Sequence, residues 1–470
     1  MRLASLAVAV LLSLPASTVF ADARIPDAAL KQAAQLREQA LADDTGWKVT
    51  ESLTTEVGPR IAGSEADARA VAWAVAKFKA LGFDKVWTEP VTFPKWERRG
   101  EKAEILGSAA QPLHVTALGG SPGGTVEGEV VRFADLAALQ AAPEGSLAGK
   151  IAFVDYHMTK ARDGHDYGNG GAIRGRAPSI AIRKGAIGFV MRSAGTDSHR
   201  VPHTGITRFE DGLTPVPSAA LSMPDADQLA RLAALGPVRL RLALDCGWDG
   251  QATSYNVIGE ITGREKPREV VVIGGHLDSW DLGTGAIDDG AGVGITMAAG
   301  HLIGALKQAP KRSIRVIAFA NEEQGLYGGR AYAEAHLKDV KLHQIGAESD
   351  FGAGRIYAFN TGSPSPEGSR KATQQIAEVL APLGIAYQPG KGGPGPDVGP
   401  FAAHGMAWGW LAQDGTDYFD LHHTADDTLD KIDPKALAQN VAAYAVFAYL
   451  AAEADGSFGS EAKDVVPPRE

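Results

Sequence analysis

Two short runs of β-branched and other apolar residues stand out along the chain, because each is followed closely by polar residues. The first run is residues 269–273, with His276 just beyond it, and the second is residues 315–320, with Glu322 and Glu323 after its end. Unbroken apolar runs of this length are typical of strands buried on both faces of a parallel sheet. Since ligands of open α/β sheets lie at the carboxyl ends of the strands, the pattern predicts that these polar side chains meet.

Helical periodicity and acidic first turns predict helices around these strands. The predicted helices are residues 27–41, 43–53, 67–81, 177–184, the stretch from Asp288 through 299, and the stretch from Pro434 onward. The further predicted strands are residues 86–93, 103–105, 128–133, 150–154, 186–191 and 256–261. Strands that alternate with helices in this way predict an α/β fold with a doubly wound, mostly parallel sheet.

Carboxylates and imidazoles gather at the ends of the apolar runs. They are His276, Asp288, Glu322, Glu323, Asp350, His422 and His423. Taken singly, each has an ordinary structural explanation: a loop histidine, a pair of glutamates that begins a helix, or an Asp-Asp-Gly turn. Together they share no structural purpose, and they form a ligand set that suits zinc. The sequence therefore predicts a metallohydrolase.

The segments Gly-Gly-His-Leu-Asp-Ser-Trp-Asp, Asp-Asp-Gly and Asn-Glu-Glu-Gln-Gly carry a resemblance to a known family. They resemble the co-catalytic zinc aminopeptidases, which include aminopeptidase Y and bacterial leucyl aminopeptidases, and most closely the plasma glutamate carboxypeptidase branch. The resemblance covers the chain from about residue 44 to about residue 453. It implies two zinc ions bridged by Asp288, and a cis peptide between Asp288 and Asp289. The other ligands that it implies are His276 and Asp350 for one ion, and Glu323 and His423 for the other.

The same resemblance implies catalytic roles. Glu322 is the general base that moves a proton from water to the leaving amine, and Asp278 is the carboxylate that orients the imidazole of His276. Two zinc ions about 3.5–4 Å apart supply a hydroxide near neutral pH. Some relatives carry a tyrosine directly before the last ligand, where this chain has His422. The donor to the oxyanion is therefore left open between His422 and Tyr418.

Composition and charge limit the class of protein. The 470 residues, 44% of them hydrophobic, predict two domains with a large core. A net charge of −10 and the lack of a Lys/Arg cluster exclude nucleic acid as a partner. Apolar segments are too short to span a membrane, and the single cysteine, Cys246, excludes an internal disulfide. Cys246 is expected to be a small buried residue, with an intermolecular bridge as the other interpretation, and a homodimer is left open.

The first residues have the pattern of an export signal. Arg2 precedes an apolar run at residues 3–14, and residues 19–21 include the small residues that a signal peptidase recognises. We expect cleavage after Ala21 and a periplasmic or secreted enzyme. At the other end, the polar stretch 456–470 contains prolines and is expected to be a frayed tail.

The catalytic domain is expected to consist of residues 22–114 and 251–455. Residues 115–250 between them resemble an inserted, mainly β protease-associated domain. Its Gly-rich stretch 162–175 is expected to be mobile and to overhang the active site. Its histidines match no metal-ligand spacing and are expected in loops or beside the substrate cleft; they are His157, His165, His199 and His203.

A glycine-rich loop at residues 389–397 lacks the Gly-Lys-Ser/Thr ending of a phosphate loop. It resembles the loop that borders the substrate pocket in the family, with Asp397 at the family's acidic position. Trp408, Trp410 and Phe419 are expected in the core or, alternatively, along a side-chain pocket.

The predicted function is a zinc-dependent exopeptidase of short peptides or dipeptides. One alternative is a glutaminyl cyclase-like zinc acyltransferase, and the bridging ligand and the insertion argue against it. The other is a receptor-like binding protein without catalysis, and the complete ligand set argues against that.

Overall fold

The structure is a computed structural model and describes residues 22–463. The predicted export signal and the last part of the predicted tail, residues 464–470, lie outside the described residues. Within residues 22–463 the chain forms a mixed α/β fold around a large sheet. No helix in this range is both long and apolar enough to cross a membrane.

The helices and strands are numbered in chain order. The helices are α1 Asp27–Leu41, α2 Thr45–Ser52, α3 Glu65–Ala80, α4 Leu136–Ala141, α5 Tyr167–Arg183, α6 Met223–Leu235, α7 Ala291–Gly304, α8 Tyr327–His336, α9 Arg370–Leu380, α10 Gly399–Ala403, α11 Tyr418–Leu421 and α12 Pro434–Glu453. The strands are β1 Lys85–Leu106, β2 Gln111–Leu113, β3 Val115–Ala117, β4 Gly124–Phe133, β5 Ile151–Val154, β6 Gly188–Arg192, β7 Ser218–Leu221, β8 Arg239–Ile261, β9 Lys266–His276, β10 Arg312–Phe319, β11 His343–Glu348, β12 Ile356–Gly362, β13 Ala386–Tyr387 and β14 Trp408–Gln413.

The strands follow the order β13-β12-β14-β11-β9-β10-β8-β4-β5-β6-β7-β3, and β1 pairs with β8 and β2. The strands β11, β9 and β10 are parallel neighbours, as the sequence predicts. Their carboxyl ends therefore lie along one edge of the sheet. That edge receives His276 from β9 and the segments that follow β10 and β11.

Helices cover both faces of this parallel region. Val271 and Ile273 pack into a core that includes α7 and α12, whereas Val270 and Val272 pack into a second core with α8 and α10. Alternate residues of one strand thus enter different cores, which is why the run shows no polar alternation. The prediction of a sheet covered on both faces is confirmed here.

The inserted lobe, residues 115–238, has one core of its own and shares a second core with β1, β8 and Trp280. Its strands β4 to β7 are parallel, and α4, α5 and α6 pack with them, so the lobe is mixed α/β rather than mainly β. Strand β8 joins the lobes, because it pairs with β4 through residues 239–244 and with β10 through residues 257–261. The predicted strands at 86–93 and 103–105 are parts of the single long strand β1.

The prediction of a mobile stretch at residues 162–175 is wrong for its second half. Helix α5 begins at Tyr167, ten residues before the predicted helix start. Ile173 of this stretch is buried in the core of the inserted lobe. Gly170 lets the helix approach its neighbours, because a Cβ at this position would collide with the side chain of Met158. Tertiary packing therefore orders residues that favour a loop by composition.

Cys246 and the C-terminal residues 456–463 lie outside the predicted site, and the structure describes both. Cys246 is buried, as expected, and burial raises the pKa of its thiol to about 11. The described part of the tail is not frayed, because Phe458 is buried and Ser457 bridges to Asp22. The tail prediction is therefore wrong for residues 456–463.

Candidate metal centre

The polar residues at the strand ends meet at the carboxyl edge of the sheet. His276 is the last residue of β9, and Asp350 follows the end of β11. The Nε2 atom of His276 lies 3.0 Å from Asp288 Oδ1 and 3.6 Å from Asp350 Oδ1. These three side chains lie close enough together to hold one metal ion.

A second group of ligand atoms lies on the other side of Asp288. The Nε2 atom of His423 is 2.9 Å from Glu323 Oε2 and 3.2 Å from Asp288 Oδ2. The sequence predicts these three residues as the second ligand set. The three side chains on this side that lie close enough together to hold a metal ion are Asp288, His422 and His423, with His422 Nε2 3.5 Å from Asp288 Oδ2. Glu323 is outside this group and joins it through its contact with His423. Asp288 is the carboxylate that both groups share.

The buried carboxylates control the protonation of the histidines. Burial disfavours the charged imidazole of His276, but hydrogen bonds with Asp278 and Asp288 outweigh burial and raise its pKa well above the usual value. Burial likewise opposes protonation of His423, whereas the neighbouring carboxylates, with Glu323 first, raise its pKa to about 10. The buried carboxylates therefore favour the protonated, positively charged forms of both imidazoles.

Glu322 lies beside the centre and, like Glu323, is outside the two groups of potential metal ligands found among residues 22–463. Burial raises its pKa well above the usual value, and the charges of Asp350 and Glu323 add to this against the opposing charge of His276. Asp278 fixes the main chain here, because its Oδ1 accepts a hydrogen bond from the Glu322 N–H at 3.0 Å. The Nδ1 atom of His276 is 3.0 Å from the main-chain oxygen of Asp278 and 3.6 Å from its carboxylate. Asp278 therefore contacts both the imidazole and the glutamate segment.

The backbone is strained at the site. Among residues 22–463, the non-glycine residues with positive φ are Asn321, Leu326 and His423. The first two flank the segment that carries the adjacent glutamates, and the third is itself a predicted ligand. Side chains with a Cβ disfavour this conformation, which persists where the surroundings impose it.

Two further aspartates hold the main chain around Asp288, and the sequence analysis gave them no role. Asp427 accepts hydrogen bonds from two successive N–H groups, the second that of Asp288, at 2.6 and 3.2 Å. Asp289 accepts one from the His276 N–H at 3.0 Å and one from the first turn of α7. The peptide between Asp288 and Asp289 is cis, as the resemblance implies. In the sequence Asp289 directly follows a predicted ligand, whereas Asp427 lies four residues after His423 and nothing in the pattern marks its role.

Arg60 is fully buried and holds the loop that follows β9. Its guanidinium donates to the carbonyl oxygens of Leu277, Thr284 and Gly285, the last two at 2.7 and 2.9 Å. The sequence suggests only a turn between helices around this residue. All of these acceptors are main-chain atoms, so no residue type along the chain reveals the contact.

The inserted lobe reaches the His422 side of the centre. The ring of Tyr167, the first residue of α5, stacks on Phe419 at 4.5 Å between centroids and meets His422 edge-on at 5.0 Å. Arg174 donates a hydrogen bond to the Tyr167 hydroxyl at 2.7 Å. The expected overhang is thus provided by an ordered helix.

The histidines of the inserted lobe separate into two kinds. His157, His165 and His199 are exposed, whereas His203 is buried against the His422–His423 segment. Among residues 22–463, none of the four belongs to a group of potential metal ligands.

Two side chains could donate to an oxyanion at this site. The ring of His422 stacks on that of His423 at 3.5 Å between centroids. Burial and the charge of His423 lower the pKa of His422 well below the usual value, and its Nδ1 atom has no hydrogen-bond partner among the described residues. The ring of Tyr418 lies 5.0 Å from that of His422, and burial raises the pKa of its hydroxyl. Both groups remain available as neutral donors.

A cavity of about 230 Å³ opens beside Asp350. Its walls include Glu348, Trp410 and residues 393–396 of the glycine-rich loop. Asp397 lies next to this wall, and its N–H donates to Glu348 Oε2 at 2.7 Å. Burial raises the pKa of Asp397 to about 8. The loop that resembles a pocket border therefore does border a cavity at the metal centre.

The sequence predicts three aromatic residues either in the core or along a side-chain pocket, and the structure shows both locations. Trp410 lines the cavity, whereas Trp408 packs against the core that contains α8 and α10. Phe419 is buried in the main core. The two tryptophans lie two positions apart on β14, with Gly409 between them, so both lie on the same face of that strand.

The chain is similar to known peptidases both in sequence and in structure. The sequence pattern of Peptidase family M28 matches residues 256–448. Carboxypeptidase Q of Bos taurus is 33% identical over 407 residues, covering 85% of this chain and 84% of the bovine protein. A crystal structure of a Peptidase M28 precursor from Shewanella amazonensis SB2B is 48% identical with a TM-score of 0.88, covering 94% of this chain and 100% of that one.

A more distant structure shares the fold. It is a zinc aminopeptidase from Bacillus subtilis, which is 20% identical with a TM-score of 0.61. The match covers 86% of this chain and 94% of that one.

Proposed function

The chain belongs to peptidase family M28, near carboxypeptidase Q, and from this premise we propose how its residues carry out the reaction of a zinc-dependent exopeptidase. The resemblance predicted from the sequence is confirmed by this membership. The observation that carries the proposal is the position of Asp288, whose carboxylate is shared by two groups of potential metal ligands.

The residues present fit zinc. Imidazole nitrogens and carboxylate oxygens are the usual ligands of catalytic zinc. Glu323 Oε1 is buried without a hydrogen-bond partner among the described residues, as expected of an atom that faces a cation. We propose that Asp288 bridges two zinc ions, and that the remaining ligands are His276, Asp350, Glu323 and His423. Zinc bound by these residues would polarise the scissile carbonyl and lower the pKa of a water molecule.

Glu322 is the general base in this proposal. Its carboxylate adjoins the proposed ligands, and burial raises its pKa, which favours uptake of a proton during the reaction. The proton passes from the attacking water to Glu322 and then to the leaving amine. Asp278 keeps the Glu322 main chain in place through the 3.0 Å hydrogen bond.

His422 is the proposed donor to the oxyanion, and Tyr418 is the second candidate. His422 is favoured because its Nε2 atom lies within 3.5 Å of the shared carboxylate of Asp288, where the reaction takes place. A neutral imidazole carries one N–H, which can donate to the developing negative charge.

Peptides are the substrates, and the cavity beside Asp350 is the proposed site for one terminal residue. Its walls combine the indole of Trp410 with the carboxylates of Glu348 and Asp350. A site of this size accepts one side chain and limits binding to the end of a peptide. Short peptides and dipeptides are therefore the proposed substrates.

The two alternative functions are not favoured. A binding protein without catalysis would not need the buried carboxylates and histidines that surround Asp288. A glutaminyl cyclase-like acyltransferase uses one zinc ion, whereas two ligand groups share a carboxylate here.

We also propose that the inserted lobe is a protease-associated domain within residues 115–250, and that the enzyme is exported. The parallel strands β4 to β7 and the one core formed by residues of this lobe alone support an inserted unit. The export signal remains a sequence-based proposal, with cleavage after Ala21 and a periplasmic or secreted location. A homodimer is retained as an expectation that sedimentation of the purified enzyme would test.

A peptide panel with metal analysis tests the function. The purified enzyme would be incubated with dipeptides and longer peptides, with free or blocked ends, and the products identified by mass spectrometry. We expect stepwise release of terminal residues and close to two zinc ions per chain. Cleavage inside blocked peptides would contradict an exopeptidase, and pyroglutamate formation without hydrolysis would indicate a cyclase.

A further inference from the structure

Hydrogen bonds join the His203–Thr204 segment of the inserted lobe to the His422–His423 segment. The Nδ1 atom of His203 lies 2.8 Å from the His422 carbonyl oxygen, which can only accept, so the imidazole donates. The Thr204 N–H donates to the His423 carbonyl oxygen at 3.0 Å. In the other direction, the His423 Nδ1 atom lies 3.1 Å from the Thr204 carbonyl oxygen and donates to it. These three hydrogen bonds hold the two segments together, two of them at the successive carbonyls of His422 and His423.

The His203 side chain is fixed in place. It is buried, with 1% of its surface exposed. Its Nε2 atom lies 3.3 Å from Asp197 Oδ2, and its main-chain N–H donates to Ser193 Oγ at 2.8 Å. Gly195 packs against the imidazole so closely that a Cβ there would overlap the ring. The ring therefore has one position, in which Nδ1 faces the His422 carbonyl.

His423 needs support of this kind. Its φ is +63°, a left-handed conformation that a residue with a Cβ disfavours. In this conformation its Nε2 atom lies between Glu323 and the shared Asp288. A different rotation of the preceding peptide would carry the imidazole away from both carboxylates.

We propose that His203 is a positioning residue of the metal centre. It holds the carbonyl of His422, and through that peptide it keeps the His423 imidazole against Glu323 and Asp288, with which it would hold zinc. This inference rests on the ligand set of the proposed function. It makes the inserted lobe part of the metal site, although His203 contacts neither the metal ligand atoms nor the substrate cavity.

Two near-isosteric substitutions test the bond. The amide nitrogen of asparagine can occupy the position of Nδ1, whereas that of glutamine reaches toward the position of Nε2. We expect His203→Asn to keep zinc affinity near that of the wild type. We expect His203→Gln to weaken the affinity for one of the two zinc ions by roughly 10–100-fold. Competition with a chromophoric chelator measures both affinities in the purified enzyme without substrate.

His343 provides a matched control. It is also buried, and its Nδ1 atom lies 3.0 Å from the Asp339 carbonyl oxygen, at the start of β11. We expect His343→Gln to lower stability without a change in zinc affinity. Equal weakening of zinc binding in His343→Gln and His203→Gln would show general destabilisation and would overturn the proposal. Equal zinc affinity in His203→Asn and His203→Gln, whether normal or weakened, would also overturn it.

His423→Ala separates this inference from the proposed function. If His423→Ala loses one zinc ion while His203→Gln binds both normally, the ligand assignment stands and the positioning role is wrong. If His423→Ala itself keeps both zinc ions at normal affinity, the ligand assignment is wrong, and the role of His203 is wrong with it.

Discussion

At the residue scale, Asp288 is the carboxylate that contacts a histidine of each ligand group. Its two oxygens face His276 on one side and His423 on the other, at 3.0 and 3.2 Å. A bridging carboxylate also reduces the repulsion between two cations, so its removal affects both. We predict that Asp288→Ala loses more zinc than Asp350→Ala, which should lose chiefly one ion.

Zinc per chain, measured by elemental analysis after dialysis at fixed free zinc, checks this prediction. Asp281→Ala is a suitable control, because this aspartate pairs with Arg98 outside the ligand groups. Two tightly held zinc ions in Asp288→Ala would show that the carboxylate does not bridge.

Glu322 calls for the opposite result. Because the proposed ligand set includes Glu323 and not Glu322, Glu322→Gln should retain both zinc ions. The amide cannot take a proton, so activity should fall by about 10²–10⁴-fold. The fall should appear in kcat more than in KM, since the carboxylate acts in the chemical step. Near-normal turnover of the zinc-loaded variant would contradict the role of general base.

The donor to the oxyanion is decided by comparing His422 with Tyr418. If His422 donates, His422→Ala should lower kcat by roughly 10²–10³-fold, the usual loss for one such donor, with zinc content little changed. His422→Tyr should recover part of this loss by restoring a donor. Tyr418→Phe serves as the comparison, because it removes one hydroxyl from the neighbouring ring. Normal turnover of His422→Ala with a large loss in Tyr418→Phe would identify Tyr418 as the donor.

The ligand residues could be predicted from the sequence, whereas their supports could not. His276 ends β9 and Glu323 lies four residues after the end of β10, so their type and position near strand ends indicate them as proposed ligands. Arg60 binds main-chain carbonyls more than 200 residues away in sequence, and no pattern marks such contacts. His203 lies in a different lobe from the histidine it supports. These roles depend on tertiary structure that the sequence specifies only through the complete fold.

At the scale of elements, the sequence predicts strands buried on two faces better than long strands with one exposed face. Residues 270–273 within β9 are all apolar, and this run predicts a buried strand. Strand β1 has a polar middle, so the sequence suggested two separate strands. Its pairing with β8 along almost the whole length supplies the hydrogen bonds that local propensity does not indicate.

His343 links β11 to α8 and makes stability depend on pH. Tyr332 donates its hydroxyl to His343 Nε2 at 2.9 Å, so this imidazole is held neutral. Burial lowers the pKa of His343 to about 3, from about 6.5 in the unfolded chain. The unfolded chain therefore binds a proton that the folded chain does not, and the free energy of unfolding falls as the pH drops from about 6.5 to about 3.

We predict that His343→Gln shows a shallower fall in this pH range. One proton contributes up to about 1.4 kcal/mol per pH unit to the slope. Urea unfolding of the metal-free enzyme at a series of pH values measures it, and His157→Gln is the control because His157 is exposed. An unchanged slope in His343→Gln would show that another group titrates.

At the scale of the whole molecule, the metal centre lies where the two lobes meet. The catalytic lobe supplies the predicted ligands, and the inserted lobe contacts them through Tyr167 and His203. The order of the segments along the chain predicted an insertion. It could not predict that β8 continues from one lobe into the other and fixes their contact through a shared strand.

Because the centre concentrates buried negative charge at this junction, zinc should stabilise the whole fold. Asp288, Asp350 and Glu323 repel one another when no cation lies between them. Zinc binds the folded chain and should bind the unfolded chain far less, so the added stability follows the free zinc concentration, reaching about 2.7 kcal/mol at 100 times the dissociation constant. We predict that chelation lowers Tm and that zinc restores it in a concentration-dependent way.

Calorimetry of the wild type and of Asp288→Ala at a series of buffered zinc concentrations checks this linkage. The wild-type Tm should rise with zinc, whereas the Asp288→Ala Tm should respond much less, since that variant has lost the shared ligand. Asp281→Ala should respond like the wild type. A wild-type Tm that stays constant while elemental analysis shows zinc leaving would contradict this linkage. It would mean that protonated His276 and His423 neutralise the ligand carboxylates without zinc, as the raised pKa of both imidazoles allows.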